Sequence, residues 1–584
     1  SLLILITIFY FLTTLPDYSS LKDYKPNVMT RVHASNGHLV KEYSREYRIF
    51  IPIDDIPEDI KKAFISAEDK NFYNHYGVDP LGILRASLYN IRNFILNRRP
   101  QGASTITQQV AKNFLLSDEL SLSRKIKEAL LAFKIEQILS KDRILELYLN
   151  QIYLGAGTYG IAAASNRYFE KELANLTVPE VAYLAALPKA PSRYHPIKNY
   201  QLALERRNWV LKRMFANEYI SAKELERYIA EPIETLLHNE KNILSSDYYL
   251  EVIRQQILDI FGEDYLYGGG LSVRTSLDTE AQLQADTALK EGLLTYDKRY
   301  GYRGPITNDP SDNWFDDLKD IALPYNFQFA KVILVNNNSA HIKTPINQIG
   351  EIKLSNLTWA REYIRGGYVG PKIESAKDVL KENDIIYFSL RNDGEYILEQ
   401  IPDINGGIVV MDPHSGRVIA LSGGFDFKLS NFNRAFQAKR QPGSAFKPFV
   451  YISALENGLQ PNTLILDAPF VVDQGERLGK WKPENYGKKF YGPSPLRKGI
   501  ENSRNLMTIR IAQYLGMDKI SEVADRVDIM DDMPEVLSMA LGAGETTLID
   551  LTSAYASFVN GGKKINPILI DRIQDRRGKN IYLA

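Results

Sequence analysis

From Leu2 to Leu15 the chain is almost wholly apolar; the run stops at Pro16 and a polar stretch from Asp17 to Asp23 follows. Crossing a bilayer takes about 20 apolar residues. This run is shorter, and the sequence opens on Ser1 rather than Met. The expectation is a truncated membrane anchor over residues 1–16, an N-terminal transmembrane (TM) helix that has lost its beginning. A signal-peptide core and a buried helix are the other readings of such a run; the first wants a small-residue cleavage pattern that is missing here. No second apolar stretch of spanning length occurs, so everything after Pro16 is expected on one side of the membrane.

The chain has 584 residues, more than one core can serve, and at about 100–200 residues per domain three to four domains are expected. Lys+Arg and Asp+Glu both number 71, so no global basic field points to nucleic acid. With no Cys, disulfides, thiolate metal sites and Cys nucleophiles are excluded.

Residues from about 56 to 225 read as helical. Ser123–Leu139 and Asp142–Tyr153 carry apolar residues at spacings of three and four, and Thr177 with Glu180 makes a capping box before an apolar helix that stops at Pro188. After 226 the pattern loosens, and Gly268–Gly270 before Leu271, Val273 and Thr275 reads as a linker entering a strand. A β-rich piece covers about 325–402: Ala330–Val335 is β-branched, and Ile385–Leu390 is expected to pair with Tyr396–Ile401 across Asn392, Asp393 and Gly394. Gly407–Met411 and Arg417–Leu421 form a second hairpin, which opens an α/β region running to Ala584.

Three stretches in the helical region are candidates for chemistry. Glu68 and Asp69 stand just before Phe72, His75 and Gly77, after a helical pattern Pro57–Ala67 whose Pro suits the first turn. Carboxylates near a helix end are usually solvated or salt-bridged, so the pair alone says little. The run Gly102–Gln109, rich in hydroxyls and amides, suits hydrogen bonding to a sugar or phosphate, or else a capped helix start. Lys125 and Glu128, three apart, stack a cation and a carboxylate on one helical face, which surface ion pairing explains equally well.

Taken in order, E-D-x-x-F-x-x-H-x-G from Glu68, G-x-S-T-I-T-Q-Q from Gly102, R-K-x-K-E from Arg124, then Ile144–Asn150 and Arg206–Asn208, the sequence resembles the five-motif series of peptidoglycan glycosyltransferases. The resemblance implies a lysozyme-like helical domain, residues 45–225, that polymerises lipid II by inverting transfer from an undecaprenyl pyrophosphate donor. Such a reaction removes a proton from an acceptor sugar hydroxyl while pyrophosphate departs, which calls for a carboxylate base and a positive surface. By its place in the motif Glu68 is the proton-transfer residue. Glu128 is the second carboxylate, orienting the pyrophosphate directly or through a divalent ion, with Arg124 and Lys125 on phosphate oxygens. Ser104, Thr107, Gln108, Gln109 and Lys112 line the donor side, and Asp69, Phe72 and His75 complete the expected substrate-binding set. No cofactor is required, although Mg or Mn is compatible with the site, and moenomycin is the expected inhibitor.

In the last region Ser444 and Lys447 form Ser-x-x-Lys, a pattern short enough to arise by accident. Pro442 and Gly443 precede it, so Ser444 can sit at a helix start with the Lys447 amine beside its hydroxyl. A Lys in a partly desolvated pocket loses its charge and acts as base, which activates the hydroxyl. Ser503 and Asn505 supply a proton relay to the leaving amine and a holder for a substrate amide. With Arg434–Ala435, Lys482–Tyr486, Tyr491–Pro493 and Ala540–Glu545 around them, these motifs resemble the penicillin-binding transpeptidases.

Anchor, glycosyltransferase and transpeptidase in that order are similar to the class A penicillin-binding proteins. The expected layout is multidomain, α and α/β: anchor 1–16, glycosyltransferase 45–225, linker 226–272, start of the transpeptidase region 273–310, a β-rich, OB-like insert 311–402, and an incomplete penicillin-binding α/β domain 403–584. The third transpeptidase motif, Lys-Thr-Gly or Lys-Ser-Gly, is absent, since Lys343-Thr344-Pro345 lies in the insert and lacks the Gly. The natural chain is expected to continue past Ala584 and supply it; a natural loss that leaves only the polymerase is the other reading. The resemblance also implies a single-pass place in the bacterial cytoplasmic membrane with periplasmic catalytic domains. The implied partners are lipid II, glycan strands, stem peptides, β-lactams and an outer-membrane or periplasmic regulator at the insert. Two other classes stay open on sequence alone, a glycan hydrolase and a non-catalytic scaffold or β-lactam sensor.

Overall fold

The structure, a computed structural model, describes residues 11, 13–18, 21, 28–44, 47–95, 104–116, 122–236, 247–308, 310–311, 314–318, 321–324, 326–391, 393–473, 479–530 and 532–584. Most of the apolar run at the start, Gly102, Ala103 and the turn residue Asn392 lie outside these. Among the described residues no helix is long and apolar enough to cross a membrane.

The first unit is helical. Helices Glu58–Glu68, Ile106–Leu115, Lys141–Gln151, Val178–Ala186 and Tyr200–Ala216 pack around Phe64, Phe72, Ile135, Leu145, Tyr148 and Tyr183, all but fully buried. Glu180 accepts the backbone N–H of Thr177 at 2.8 Å, closing the capping box expected there, and Pro179 occupies the first turn. Leu15 and Tyr18 lie against this core and Leu21 is buried in it, so the chain leaving the apolar run crosses the helical unit first.

A mixed sheet then joins distant parts of the chain. Strand Thr30–His33 pairs antiparallel with Leu39–Tyr43 and parallel with Ser272–Thr275, which pairs antiparallel with Ile570–Gln574, itself beside Asn580–Leu583. The strands that precede the helical unit and the last strands of the chain thus share one sheet. Within 226–272, expected as a linker, the described residues include the helices Asp247–Phe261 and Glu263–Gly268. Helix Asp247–Phe261 buries Tyr248, Tyr249, Leu250 and Ile253 in the core that also holds Val418, Leu421 and Ile573. Its tyrosine hydroxyls are spent inside the fold: Tyr248 donates to the Ser430 carbonyl at 2.6 Å, and Tyr249 donates to the Val418 carbonyl at 3.0 Å.

The insert is a five-stranded sheet in the spatial order Tyr396–Glu399, Ile385–Leu390, Gln328–Val335, Ser339–Lys343, Ile349–Lys353. Its outer strands curl toward each other. The Lys353–Glu395 ion pair at 2.9 Å spans the gap, and Gly350 lies so close to the Tyr396 ring that a Cβ would meet it at 2.5 Å. In the final region the hairpin Ile408–Met411 with Val418–Ser422 forms as expected. Gln282 of helix Thr279–Lys298 clasps Leu421 through both its amide atoms, at 2.9 and 3.0 Å. Helices Lys447–Glu456, Asn505–Leu515 and Met517–Arg526 enclose a second apolar core around Phe446, Phe449, Ile511 and Ile520.

Candidate active sites

Glu68 is the last residue of its helix, and its carboxylate accepts Gln109 Nε2–H at 2.9 Å. Burial pushes the Glu68 carboxyl above the usual carboxylate range, while the Gln109 bond and the charges of Arg206 and Lys189 draw it back. Arg206 is nearly buried and lies flat on Trp209, 3.8 Å from the ring centroid. The site therefore holds a carboxylate of raised basicity against a cationic wall.

Asp69 works differently. Its oxygens lie 2.9 and 3.1 Å from His75 Nε2, and one accepts the backbone N–H of Ile106 at 3.0 Å. Thr105 caps helix Ile106–Leu115: its Oγ accepts the Gln108 N–H at 3.1 Å and donates to the Gly77 carbonyl at 2.6 Å, and Gln108 Oε1 accepts the Thr105 N–H at 2.9 Å. Thr107 Oγ donates to Glu136 at 2.6 Å, and Glu136 also holds Lys141 at 2.7 Å. Gly77 has φ +81°, and a Cβ there would meet the Ala132 backbone at 2.6 Å, so the loop after Glu68 lies directly on helix Leu122–Ile138.

These contacts show how part of the expected substrate-binding set is packed. Phe72 and Thr107 are fully buried, and Asp69, His75 and Gln108 nearly so. Asp69 and Thr107 bond neighbouring helices, while Gln108 bonds back to the cap of its own helix and His75 to Asp69. Thr105→Ala, which removes the cap and the Gly77 bond, is expected to lower stability by about 1–2 kcal/mol. Chemical denaturation followed through the helical signal measures this.

Glu128 is buried, with Arg124 Nε at 3.1 Å and Lys125 Nζ at 2.5 Å. Lys125, half exposed, also donates to Ser104 Oγ at 3.2 Å. The structure thus brings Ser104, Arg124, Lys125 and Glu128 together as expected, and Lys112 lies half-buried one turn beyond Gln109. A carboxylate whose two oxygens face two cations is a poor seat for a divalent ion, and the described residues hold no cluster of three metal-ligating side chains. The sequence reading gave no role to Lys189 or to Tyr148, whose buried hydroxyl has no hydrogen-bond partner among the described residues. Burial first, then the charges of Glu68 and Asp69, raise the Tyr148 pKa. Neither residue has a spacing that ties it to Glu68.

In the last region Ser444 is exposed on the turn Gly443–Phe446, and helix Lys447–Glu456 follows at once. Lys447 is 2% exposed, and its amine donates to the Ser503 carbonyl at 2.6 Å, Ser503 Oγ at 3.1 Å and Asn505 Oδ1 at 2.6 Å. Burial brings the Lys447 pKa down to about 8. Ser503 has φ +49°, a left-handed backbone that is uncommon without glycine. That conformation lets one residue present both its carbonyl and its hydroxyl to the amine. Asn505 is fixed from behind, donating to the Glu484 carbonyl at 2.8 Å. Gly542, at φ +74°, lies against the Gly443 backbone where a Cβ would collide, and Tyr555 donates to the Ala445 carbonyl at 2.7 Å. Both brace the turn that carries Ser444.

Comparison with known proteins agrees with the multidomain layout. Residues 36–215 match the Transglycosylase family, 302–404 the penicillin-binding protein OB-like domain, and 406–582 the penicillin-binding protein transpeptidase domain. Penicillin-binding protein 1A of Rickettsia typhi is 44% identical over 579 residues, 98% of this chain and 72% of that protein. Its namesake in Pseudomonas aeruginosa is 39% identical over 581 residues, 98% of this chain and 70% of that one. The crystal structure of Penicillin-Binding Protein 1A from Haemophilus influenzae superposes with a TM-score of 0.69 at 30% identity, over 96% of this chain and 72% of that chain. With a transglycosylase unit, an OB-like insert and a transpeptidase unit in one polypeptide, the chain belongs to the class A, bifunctional penicillin-binding proteins, which polymerise and cross-link peptidoglycan.

Proposed function

We propose that Glu68 drives glycan polymerisation and Ser444 drives cross-linking, each in its own unit. The observation that carries this reading is that both units hold a titratable group displaced by burial toward neutrality, Glu68 upward and Lys447 downward. At the first site an ionised Glu68 takes the proton from the acceptor hydroxyl as pyrophosphate leaves the donor. Gln109 orients it, and Arg124 and Lys125 meet the phosphate charge. No step is routed through a metal ion.

At the second site a neutral Lys447 accepts the Ser444 hydroxyl proton while Oγ attacks the substrate carbonyl, and a Ser acyl-enzyme forms as the amine leaves. The charged ammonium fills all its protons with three acceptors. After deprotonation only two remain, and Ser503 Oγ is the one partner able to reverse from acceptor to donor. That reversal makes Ser503 the relay to the leaving group. Because the working form of Lys447 is uncharged, acylation by penicillin is expected to rise with pH through about 8 and then level. Stopped-flow acylation between pH 6 and 10 tests it; a rate that is flat or falls across this range contradicts Lys447 as base.

The reading extends to the membrane. The apolar run at residues 2–15 is proposed as the end of a single anchor, with both units on the outer side of the bacterial cytoplasmic membrane, where lipid II and the wall meet. Moenomycin would compete at the first site and β-lactams acylate the second, with the insert left as the surface for a regulator.

A further inference from the structure

A cleft of about 900 Å³ separates the helical unit from the mixed sheet. The helical unit contributes Arg48 and Arg143 to its lining; the sheet contributes Arg31, His33 and, on the last hairpin turn, Arg576. Among the described residues the lining holds one carboxylate, Asp575, whose Oδ1 accepts the N–H groups of its own turn, Arg577 at 2.8 Å and Lys579 at 3.0 Å, and whose charge offsets one guanidinium. Two carboxylates behind the walls take part of the charge: Glu42 pairs with Arg31 Nε at 3.2 Å, and Glu146 pairs with Arg143. Arg576 is exposed, and it and the terminal nitrogens of Arg31 have no partner among the described residues. His33, lowered first by burial and then by Arg274 and Arg31, adds no charge at neutral pH. The positive field of the cleft is therefore that of guanidinium groups and is constant over the physiological range.

We propose that this cleft binds the carboxylate-bearing stem peptides of a newly made glycan strand as it passes from the first site to the second. The proposal rests on the functional reading above. One wall belongs to the unit that makes the strand, and the other is a sheet whose strand Ile570–Gln574 lies in the transpeptidase unit. Along its length a strand carries no phosphate and keeps one pyrophosphate at its lipid-bearing end, so the charge spread along it is that of the carboxylates at its peptide ends, the groups that guanidinium forks bind in pairs. A concave cleft between two walls suits a chain better than a planar bilayer.

The test uses the intact protein with Arg31→Glu and Arg576→Glu together. The probe is soluble, uncross-linked glycan with free stem carboxylates, compared with the same glycan after amidation of those carboxylates. Binding of the free-carboxylate strand is expected to weaken about ten-fold in the double variant, the worth of about one charge-assisted hydrogen bond. The cross-linked fraction of nascent product falls with it, while lipid II polymerisation and penicillin acylation stay at the parent rate. Arg576→Gln alone, on an exposed turn, is expected to lose about three-fold and serves if the double variant fails to fold. Equal binding of free and amidated strands, or unchanged binding in the variants, overturns the proposal. So does a variant defect confined to phosphatidylglycerol vesicles, which would assign the cleft to the membrane. Strand binding is read without turnover, so an inactive parent protein would count against the functional reading and leave this test standing.

Discussion

Ser444→Ala is expected to abolish covalent penicillin uptake and cross-linking, by at least about 10⁴-fold, while glycan polymerisation proceeds. The size follows from the chemistry: the hydroxyl is the bond-forming atom, and no neighbour can take its place. Lys447 is buried and held by three acceptors, and Ser503 is turned toward that amine. Ser444 is exposed on its turn, so losing one hydroxyl disturbs no packing and the protein should unfold at the parent temperature. Fluorescent penicillin labelling followed on a gel measures the effect, and residual labelling within ten-fold of the parent would remove Ser444 from its role.

Glu68→Gln is expected to lower lipid II polymerisation by about 10² to 10⁴-fold, the usual cost of losing a general base. The change is nearly isosteric and leaves a side chain able to face Gln109, so the helix end should keep its place. Penicillin acylation at Ser444 should be untouched. Since the base works ionised and burial raises its pKa, parent polymerisation should fall as the pH drops through that raised value, earlier than for an exposed carboxylate. Turnover of the variant within a few-fold of the parent contradicts the assignment.

Both candidate sites were legible in the sequence because their residues are largely local. Arg124 and Lys125 with Glu128, and Ser444 with Lys447, fall in short motifs whose spacing is the geometry, whereas Glu68 meets Gln109 from a separate motif 41 residues away. Spacing says less where a polar residue in a motif faces inward. Asp69, His75, Thr107 and Gln108 are as polar as any ligand-binding set, yet they satisfy a helix start and one another, and no spacing separates a buried hydrogen-bond network from a sugar site. Helix Asp247–Phe261 was read as linker for a related reason: it is buried on more than one side, so its apolar residues lose a clean period. The mixed sheet pairs Val32 with Val273 and Ile573 with Val273 across hundreds of residues, a register that local patterns do not encode.

The account stands on two separable reactions carried by one chain, and incubating the intact protein with lipid II tests that most directly. Size analysis of the product should show long glycan strands with cross-linked stem peptides. Moenomycin should remove both strands and cross-links, whereas penicillin should remove the cross-links and leave the strands. Release of short glycan fragments, or a penicillin block that also stops polymerisation, would contradict it.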